Sequence, residues 1–96
     1  MLNRRAKRRY LLIMHTCEAS DAVSAITKRC SELFGSIAAE KAAVRLVKPE
    51  NGMTTIKCRL EQLDNVLVSI ALTDPSVVTL DISGTMKRLQ RRLAKI

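Results

Sequence analysis

The chain has 96 residues, of which 47% are hydrophobic and 27% charged, and its formal net charge is +8. This length allows one domain with a single core, and the apolar content argues against a disordered body. The core must be aliphatic, because Tyr10 and Phe34 are the only aromatic residues. The apolar run from Leu11 to Met14 is far shorter than the roughly 20 residues of a membrane span, so no membrane association is expected.

The basic residues are concentrated at the two ends of the chain. Residues 1–9 carry five bases and residues 84–96 carry five more, whereas all nine acids lie between them. The net charge therefore divides into +5, −2 and +5. Each Lys or Arg that neutralises a phosphate releases counterions, so two cationic ends on a near-neutral body are typical of a polyanion-binding protein. The alternatives are solubilising tails or, in a eukaryote, a nuclear-import signal.

The first predicted elements are a strand and a helix. Residues 8–16 are apolar on both faces of a strand, as expected of a central strand that is covered on both sides. Ser20 is the predicted N-cap of a helix with apolar residues at helical spacing, and Gly35 is its predicted end. A stretch of small residues follows without a predicted element.

A hairpin is predicted next. Residues 41–48 alternate as one strand, residues 49–52 contain an Asn-Gly turn, and residues 53–60 form the returning strand. The apolar faces of the two strands are predicted to consist of Val44, Leu46, Ile56, Cys58 and Leu60. The opposite face of the second strand is polar and consists of Thr55, Lys57 and Arg59.

The last predicted elements are a helix, a strand and a terminal helix. Residues 61–72 form a helix that Asp74-Pro75 ends, and its apolar stripe is Leu63, Val66, Leu67 and Ile70. Alternating Val78, Leu80 and Ile82 predict a strand with these three residues on one face.

The order β-α-β-β-α-β-α predicts a ferredoxin-like α+β fold with a four-stranded antiparallel sheet. The two inner helices would cover one face of the sheet, and the terminal helix would partly cover the other. Residues 1–96 form one predicted domain, with a basic arm at 1–8 and a basic helix at 85–96.

Residues typical of a catalytic or metal site are scarce. His15 is the single histidine, and no acid is spaced to orient it; the three glycines are too far apart for a phosphate-binding loop. Cys17, Cys30 and Cys58 include no Cys-x-x-Cys pair, and Cys30 and Cys58 are expected to be reduced core residues. No active site, metal site or cofactor is therefore predicted on this chain.

The pattern of the sheet argues against base stacking. RNA-recognition motifs stack bases on aromatic residues of the sheet, whereas residues 53–60 contain none and Tyr10 is the single aromatic residue on a strand. We therefore expect cations to recognise the backbone and shape of a folded RNA.

The start of the terminal helix is a predicted anion site. Gly84 permits close approach, Thr85 is the predicted N-cap, and Lys87 and Arg88 lie in the first turn, where cations oppose the helix dipole. This cost favours an anion at the free backbone amides, such as an RNA phosphate. The alternative is that the segment merely turns the chain from strand to helix.

Four segments in this order resemble the ribonuclease P protein component 2 family, a family of small archaeal and eukaryotic ribonuclease P subunits. The segments are Arg8-Arg9-Tyr10-Leu11-Leu12, Leu33-Phe34-Gly35, Ile56-Lys57-Cys58-Arg59 and Ser83-Gly84-Thr85-Met86-Lys87. A sibling subunit of similar fold shares weaker forms of these motifs and stays as an alternative.

The resemblance implies a non-catalytic, RNA-binding subunit of an endoribonuclease that matures the 5′ end of transfer RNA. It also implies that the ribonuclease P RNA carries the chemistry and binds the Mg²⁺. The implied partners are that RNA, the barrel-shaped ribonuclease P protein component 3, other ribonuclease P proteins, a second copy of this chain and, indirectly, precursor transfer RNA. The lack of an acidic tail favours an archaeal, cytoplasmic protein; a eukaryotic source would place it in the nucleus or nucleolus.

The predicted RNA-binding residues combine both ends of the chain with one position in the sheet. The resemblance implies contacts from Arg8, Arg9, Tyr10, Arg59, Thr85, Lys87 and Arg88. Charge alone adds Arg4, Arg5, Lys7, Arg91, Arg92 and Lys95. Met86 and Leu89 are assigned to a protein interface or to the core. The central first strand predicts that both ends come to one side of the sheet and form one RNA site.

Two other functions are compatible with the fold. A generic basic ribosomal or nucleic-acid-binding module would share the charged ends but not the ribonuclease P partners. A small-molecule-binding or hydrolytic domain would need a pocket of convergent polar groups, and it would not explain the charged ends.

Overall fold

A computed structural model describes residues 7–50, 52–73 and 77–93. The elements are β1 (Arg8–His15), α1 (Ala19–Phe34), α2 (Ser36–Ala42), β2 (Arg45–Glu50), β3 (Met53–Arg59), a 3₁₀ turn (Leu60–Gln62), α3 (Leu63–Ala71), β4 (Val77–Ser83) and α4 (Met86–Leu93). The strands form one antiparallel sheet in the order β2-β3-β1-β4. The predicted ferredoxin-like fold with a central first strand is confirmed. Within the described ranges, no helix has the length and apolarity to cross a bilayer.

The two faces of the sheet are covered differently. The covered face packs against α1, α2 and α3, and its core includes Leu11, Ile13 and Ile56 from the strands. The opposite face, called the open face below, is contacted by α4 over β1 and β4. Leu89 of α4 is only 2% exposed and lies outside the main core cluster. The prediction that the terminal helix partly covers the second face is therefore confirmed.

The ends of α1 differ in how well the sequence predicted them. Gly35 ends the helix as predicted, with a φ of 95° that suits glycine, and its N–H donates to the carbonyl of Ser31 at 2.9 Å. The predicted N-cap, Ser20, is wrong because its backbone is already helical. Glu18 occupies the cap position with extended backbone angles and makes no side-chain cap hydrogen bond.

The stretch of small residues after Gly35 is a second helix, α2, that the sequence analysis missed. Ala39 and Ala42 are buried three residues apart, as on one face of a helix, and Ala43 ends α2 with a φ of 48°. The predicted strand over residues 41–48 is therefore wrong at its start, since β2 begins at Arg45.

β2 also departs from the predicted turn and alternation. Pro49 lies in the strand rather than in the turn, at the edge of the sheet where a missing N–H is tolerated. The predicted turn residue Asn51 lies outside the described residues. A bulge between Leu46 and Lys48 interrupts the alternation, and Leu46 is 42% exposed, so it does not share the buried environment of Val44.

The helix predicted over residues 61–72 consists of the 3₁₀ turn followed by α3. Leu60, predicted on the strand, begins the turn. The apolar stripe is confirmed: Val66 and Ile70 are buried, and Leu63 and Leu67 pack against the core. The predicted end at Asp74-Pro75 lies outside the described residues.

A bulge in β4 overturns the predicted alternation of that strand. Ile13 pairs with Thr79 and Leu12 pairs with Asp81, which leaves Leu80 without an opposite residue. Ile82 therefore lies on the covered face opposite Leu11, whereas Val78 lies on the open face opposite Met14. The prediction that Val78, Leu80 and Ile82 share one face is wrong, because the extra residue reverses the side to which later residues point.

Candidate nucleic-acid interface

The helix α4 presents basic side chains to solvent at the open face. The Thr85 hydroxyl oxygen accepts the Arg88 N–H at 3.2 Å, as the predicted N-cap should. Lys87, Arg88 and Arg91 are exposed, and none of them pairs with an acid in the described part of the chain. These three side chains, called the α4 bases below, form a cationic ridge that no carboxylate of the described residues neutralises.

Arg92 has a different environment from the α4 bases. Its Nε lies 3.0 Å from Oδ2 of Asp81, and its Nη2 donates to the carbonyl of Ile82 at 2.9 Å. Both contacts join α4 to β4. Arg92 therefore positions the helix, and part of its charge is already compensated before any RNA binds.

The start of β1 lies beside the start of α4. A Cβ added to Gly84 would lie 3.6 Å from Nη1 of Arg9, an ordinary van der Waals distance, so the guanidinium of Arg9 lies next to Gly84. Strand alternation places Arg8 and Tyr10 on the open face. It places Arg9, which pairs with Cys58, towards the covered face. The predicted trio therefore divides between the two faces.

A concavity of about 250 Å³ lies at the same end of the sheet. Its lining consists of Arg8, Ala43, Arg45, Lys57, Cys58 and Arg59. The four basic residues of this lining define what we call the basic cleft. Arg8 lies directly opposite Arg59, and Arg45 lies directly opposite Lys57. No acid of the described residues lines it, so four positive charges converge on a small volume.

The thiol of Cys58 is buried on the covered face, beneath the cleft. Burial raises the pKa of Cys58 from 9.0 to about 11, an effect that nearby Arg9 partly opposes and Cys30 reinforces. A protonated, buried thiol is neither a nucleophile nor a metal ligand. In residues 7–50, 52–73 and 77–93, no three His, Cys, Asp or Glu side chains are grouped so that they would hold a metal ion.

His15 has structural partners on both ring nitrogens. Nδ1 lies 2.7 Å from the carbonyl oxygen of Cys17 and therefore donates to it. Nε2 lies 2.5 Å from the hydroxyl of Thr54, and the histidine is only 7% exposed. The ring holds the end of β1 against β3 and the following loop, a packing role.

The structure places the predicted RNA-binding residues in two groups. Arg8 and Arg59 belong to the basic cleft, and Lys87, Arg88 and Arg91 are the α4 bases. Lys7 is exposed just before β1, and its carbonyl accepts the Leu60 N–H at 2.8 Å. The predicted residues Arg4, Arg5 and Lys95 lie outside the described part of the chain.

Arg45 and Lys57 belong to the basic cleft but were missed from the sequence. Lys57 carried a signal, because it alternates with Arg59 on the polar face of its strand. Arg45 carried none, since only the pairing of β2 with β3 brings it opposite Lys57.

Comparison with known proteins identifies the family. The Rpp14/Pop5 family matches residues 9–94, nearly the whole chain. The chain belongs to the Rpp14/Pop5 family. The prediction that it is a protein subunit of ribonuclease P is therefore confirmed. RNA and other protein subunits are its partners, as predicted. The match includes β1 from Arg9 onwards and all of α4.

A solved structure shares the fold. A chain of yeast ribonuclease MRP, determined by cryo-electron microscopy, superposes with a TM-score of 0.62 over 98% of this chain and 96% of that chain. The sequence identity is 13%, so the likeness concerns the fold alone. No curated protein matches this Rpp14/Pop5 chain at a significant level.

Proposed function

We propose that this subunit binds ribonuclease P RNA with the open face of its sheet and with α4. It adds no catalytic group; it supports the RNA while the RNA matures the 5′ end of precursor transfer RNA. The observation that carries this proposal is the position of the exposed, unneutralised α4 bases on the same face as the basic cleft. Cations grouped on one face suit the phosphate backbone of a folded RNA.

Within the family, we propose that the chain is component 2 and that component 3 is its protein partner. Two of the motif segments that favour component 2, at the starts of β1 and α4, lie side by side. The side of the molecule formed by α1, α2 and α3, called the helical side below, has exposed apolar residues, namely Leu33, Phe34, Ile37, Val68 and Leu72. A protein partner on that side would leave the open face to the RNA. Self-association, Mg²⁺ held only by the RNA, an archaeal source and a cytoplasmic location stay predictions.

The proposed function is tested by reconstitution. Cleavage of precursor transfer RNA is measured with ribonuclease P RNA and component 3 from the same organism, with and without this chain. We expect the chain to raise the rate of cleavage at the correct 5′ site, because it steadies the catalytic RNA. An unchanged rate at every Mg²⁺ concentration tested would overturn the proposal.

The α4 bases are tested separately by the salt dependence of RNA affinity. In the Lys87→Ala/Arg88→Ala/Arg91→Ala variant, the slope of log affinity against log salt should become shallower by about 2, at about 0.7 per lost phosphate contact. The matched control removes three bases from the helical side, as Lys28→Ala/Arg29→Ala/Lys41→Ala. If both variants change the slope equally, net charge rather than α4 determines the affinity.

A further inference from the structure

We propose that the basic cleft binds one phosphodiester group of the RNA backbone, with Arg45 and Lys57 acting together with Arg8 and Arg59. This inference rests on the proposed function, because it adds a specific contact on the same face. It assigns a ligand to Arg45 and Lys57, which lie outside both the charged ends of the sequence and α4.

The strand register carries the inference. Arg8 lies directly opposite Arg59 across β1 and β3, and Arg45 lies directly opposite Lys57 across β2 and β3. Like charges at opposite positions of an antiparallel pair destabilise the sheet. Two such pairs, next to each other on one face, cost stability without benefit to the fold. An anion between them would reverse that cost.

The cleft lacks internal compensation for its charge. Within the described ranges, the ion pair of the cleft joins Arg59 to Glu61 at 4.0 Å; both side chains are about half exposed, so the pair contributes little. In the described residues, no acid pairs with Arg8, Arg45 or Lys57. Nη1 of Arg45 donates to the carbonyl of Val44 at 3.0 Å, and among the described residues the guanidinium has no other partner, so further N–H groups are left for a ligand.

The chemistry of the lining matches a phosphate. Guanidinium groups donate two parallel hydrogen bonds to phosphate oxygens, and the lysine ammonium adds a point charge. A volume of about 250 Å³ is below the range of about 300–1,000 Å³ for pockets that bury drug-sized molecules, so the cleft suits a single small anionic group.

The position of the cleft favours RNA over a free phosphate compound. β1 begins in the cleft at Arg8, and the next residue, Arg9, lies against Gly84 at the start of α4. The cleft and the α4 bases therefore lie at the same end of the sheet. The strand register places the basic residues of the cleft on the open face, which is the face that α4 contacts. One RNA backbone that crosses that end would contact both the cleft and the α4 bases. A free phosphate compound in the cleft would not use the α4 bases.

The first test measures affinity for ribonuclease P RNA. The Arg45→Ala/Lys57→Ala variant should lose about tenfold or more in affinity, and its salt slope should become shallower by about 1.4 for two lost contacts. The matched control, Lys28→Ala/Lys41→Ala, removes the same charge from exposed positions on the helical side and should stay within about twofold of the wild type. Lys57→Arg keeps the charge and should retain most of the affinity.

Folding of each variant is checked by thermal melting. Because Arg45 and Lys57 are surface residues of like charge, their removal should not lower the melting temperature. Equal losses of RNA affinity in the cleft variant and the control would overturn the inference. If the cleft variant matches the control while the α4 variant still loses its salt dependence, the cleft proposal fails and the proposed function stands.

A second arm separates RNA from a free phosphate compound. Inorganic pyrophosphate is added while the Nε–Hε signals of Arg8, Arg45 and Arg59 are followed by NMR. We expect pyrophosphate to shift these NMR signals weakly and the RNA to shift them much more strongly. The shifts caused by the RNA should be abolished in the Lys57→Glu variant. Tight pyrophosphate binding combined with unchanged RNA affinity in the Arg45→Ala/Lys57→Ala variant would assign the cleft to a free phosphate ligand and overturn the RNA contact.

Discussion

The two faces of the sheet differ in what they contribute, and neighbouring residues of β3 show the difference. Ile56 is fully buried on the covered face, where aliphatic side chains from three helices and the sheet form the core. Lys57, the next residue, points to the open face and lies opposite Arg45. Burial of Ile56 stabilises the fold, whereas the like charges at Lys57 and Arg45 weaken it. The comparison teaches that one face of these strands stabilises the fold, while the basic residues proposed to bind RNA lie on the other.

The largest expected effect contrasts these two neighbours directly. Ile56→Ala should lower the free energy of unfolding by about 2–5 kcal/mol, because it removes a fully buried side chain and leaves a cavity. Lys57→Ala should change it by less than about 0.5 kcal/mol or raise it slightly, because it relieves like-charge repulsion. Denaturant unfolding measures both. Similar losses for the two variants would mean that the faces do not divide stability from binding.

An intermediate effect concerns the thiol beneath the cleft. The pKa of Cys58 is raised by burial from 9.0 to about 11, so between these pH values the folded state keeps a proton that the unfolded state loses. Stability should therefore fall as pH rises through this interval, by at most about 3 kcal/mol. The measurement compares unfolding of the wild type and Cys58→Ala from pH 8 to pH 11 (roughly the range set by these pKa values). If the free energy of unfolding depends on pH in the same way in both proteins, the pKa of Cys58 is not raised in the folded state.

The smallest expected effect concerns the link between α4 and the sheet. Asp81→Asn removes the ion pair with Arg92 and should cost less than about 1 kcal/mol, because both side chains are partly exposed. The same change frees a cation on the open face, so RNA affinity should rise slightly. Asp64→Asn removes an equal charge from an exposed position on α3 and is the control. A larger rise in the control would show that Asp81 has no local influence on RNA binding.

The order and topology of the strands were predictable because their signals are local. Two apolar faces on residues 8–16 are typical of a central strand, and β1 is central. Gly35 ended the first helix as predicted, since its positive φ is a backbone requirement that the residue type reveals. The alternation of residues 53–60 likewise predicted a strand with one apolar and one polar face, and β3 spans Met53–Arg59.

The remaining features depend on contacts between distant segments. The bulge that leaves Leu80 unpaired is set by the partner strand, so simple alternation assigned the later residues of β4 to the wrong face. The helix α2 was missed because Ala39 and Ala42 carry little apolar signal until their burial is seen. The basic cleft depends on the pairing of Arg45 with Lys57, which are twelve positions apart in the sequence. Charge counting therefore favoured the two ends of the chain over the centre of the sheet.

The central claim is that RNA binds the open face and not the helical side, and the two aromatic residues provide matched probes. Tyr10 lies on the open face beside the cleft, and Phe34 lies at the end of α1, 39% exposed. Each is replaced in turn by the photo-crosslinking residue p-benzoylphenylalanine, and the protein is irradiated in complex with ribonuclease P RNA. We predict crosslinks to the RNA from position 10 and none from position 34. Crosslinks from position 34 without any from position 10 would contradict the account.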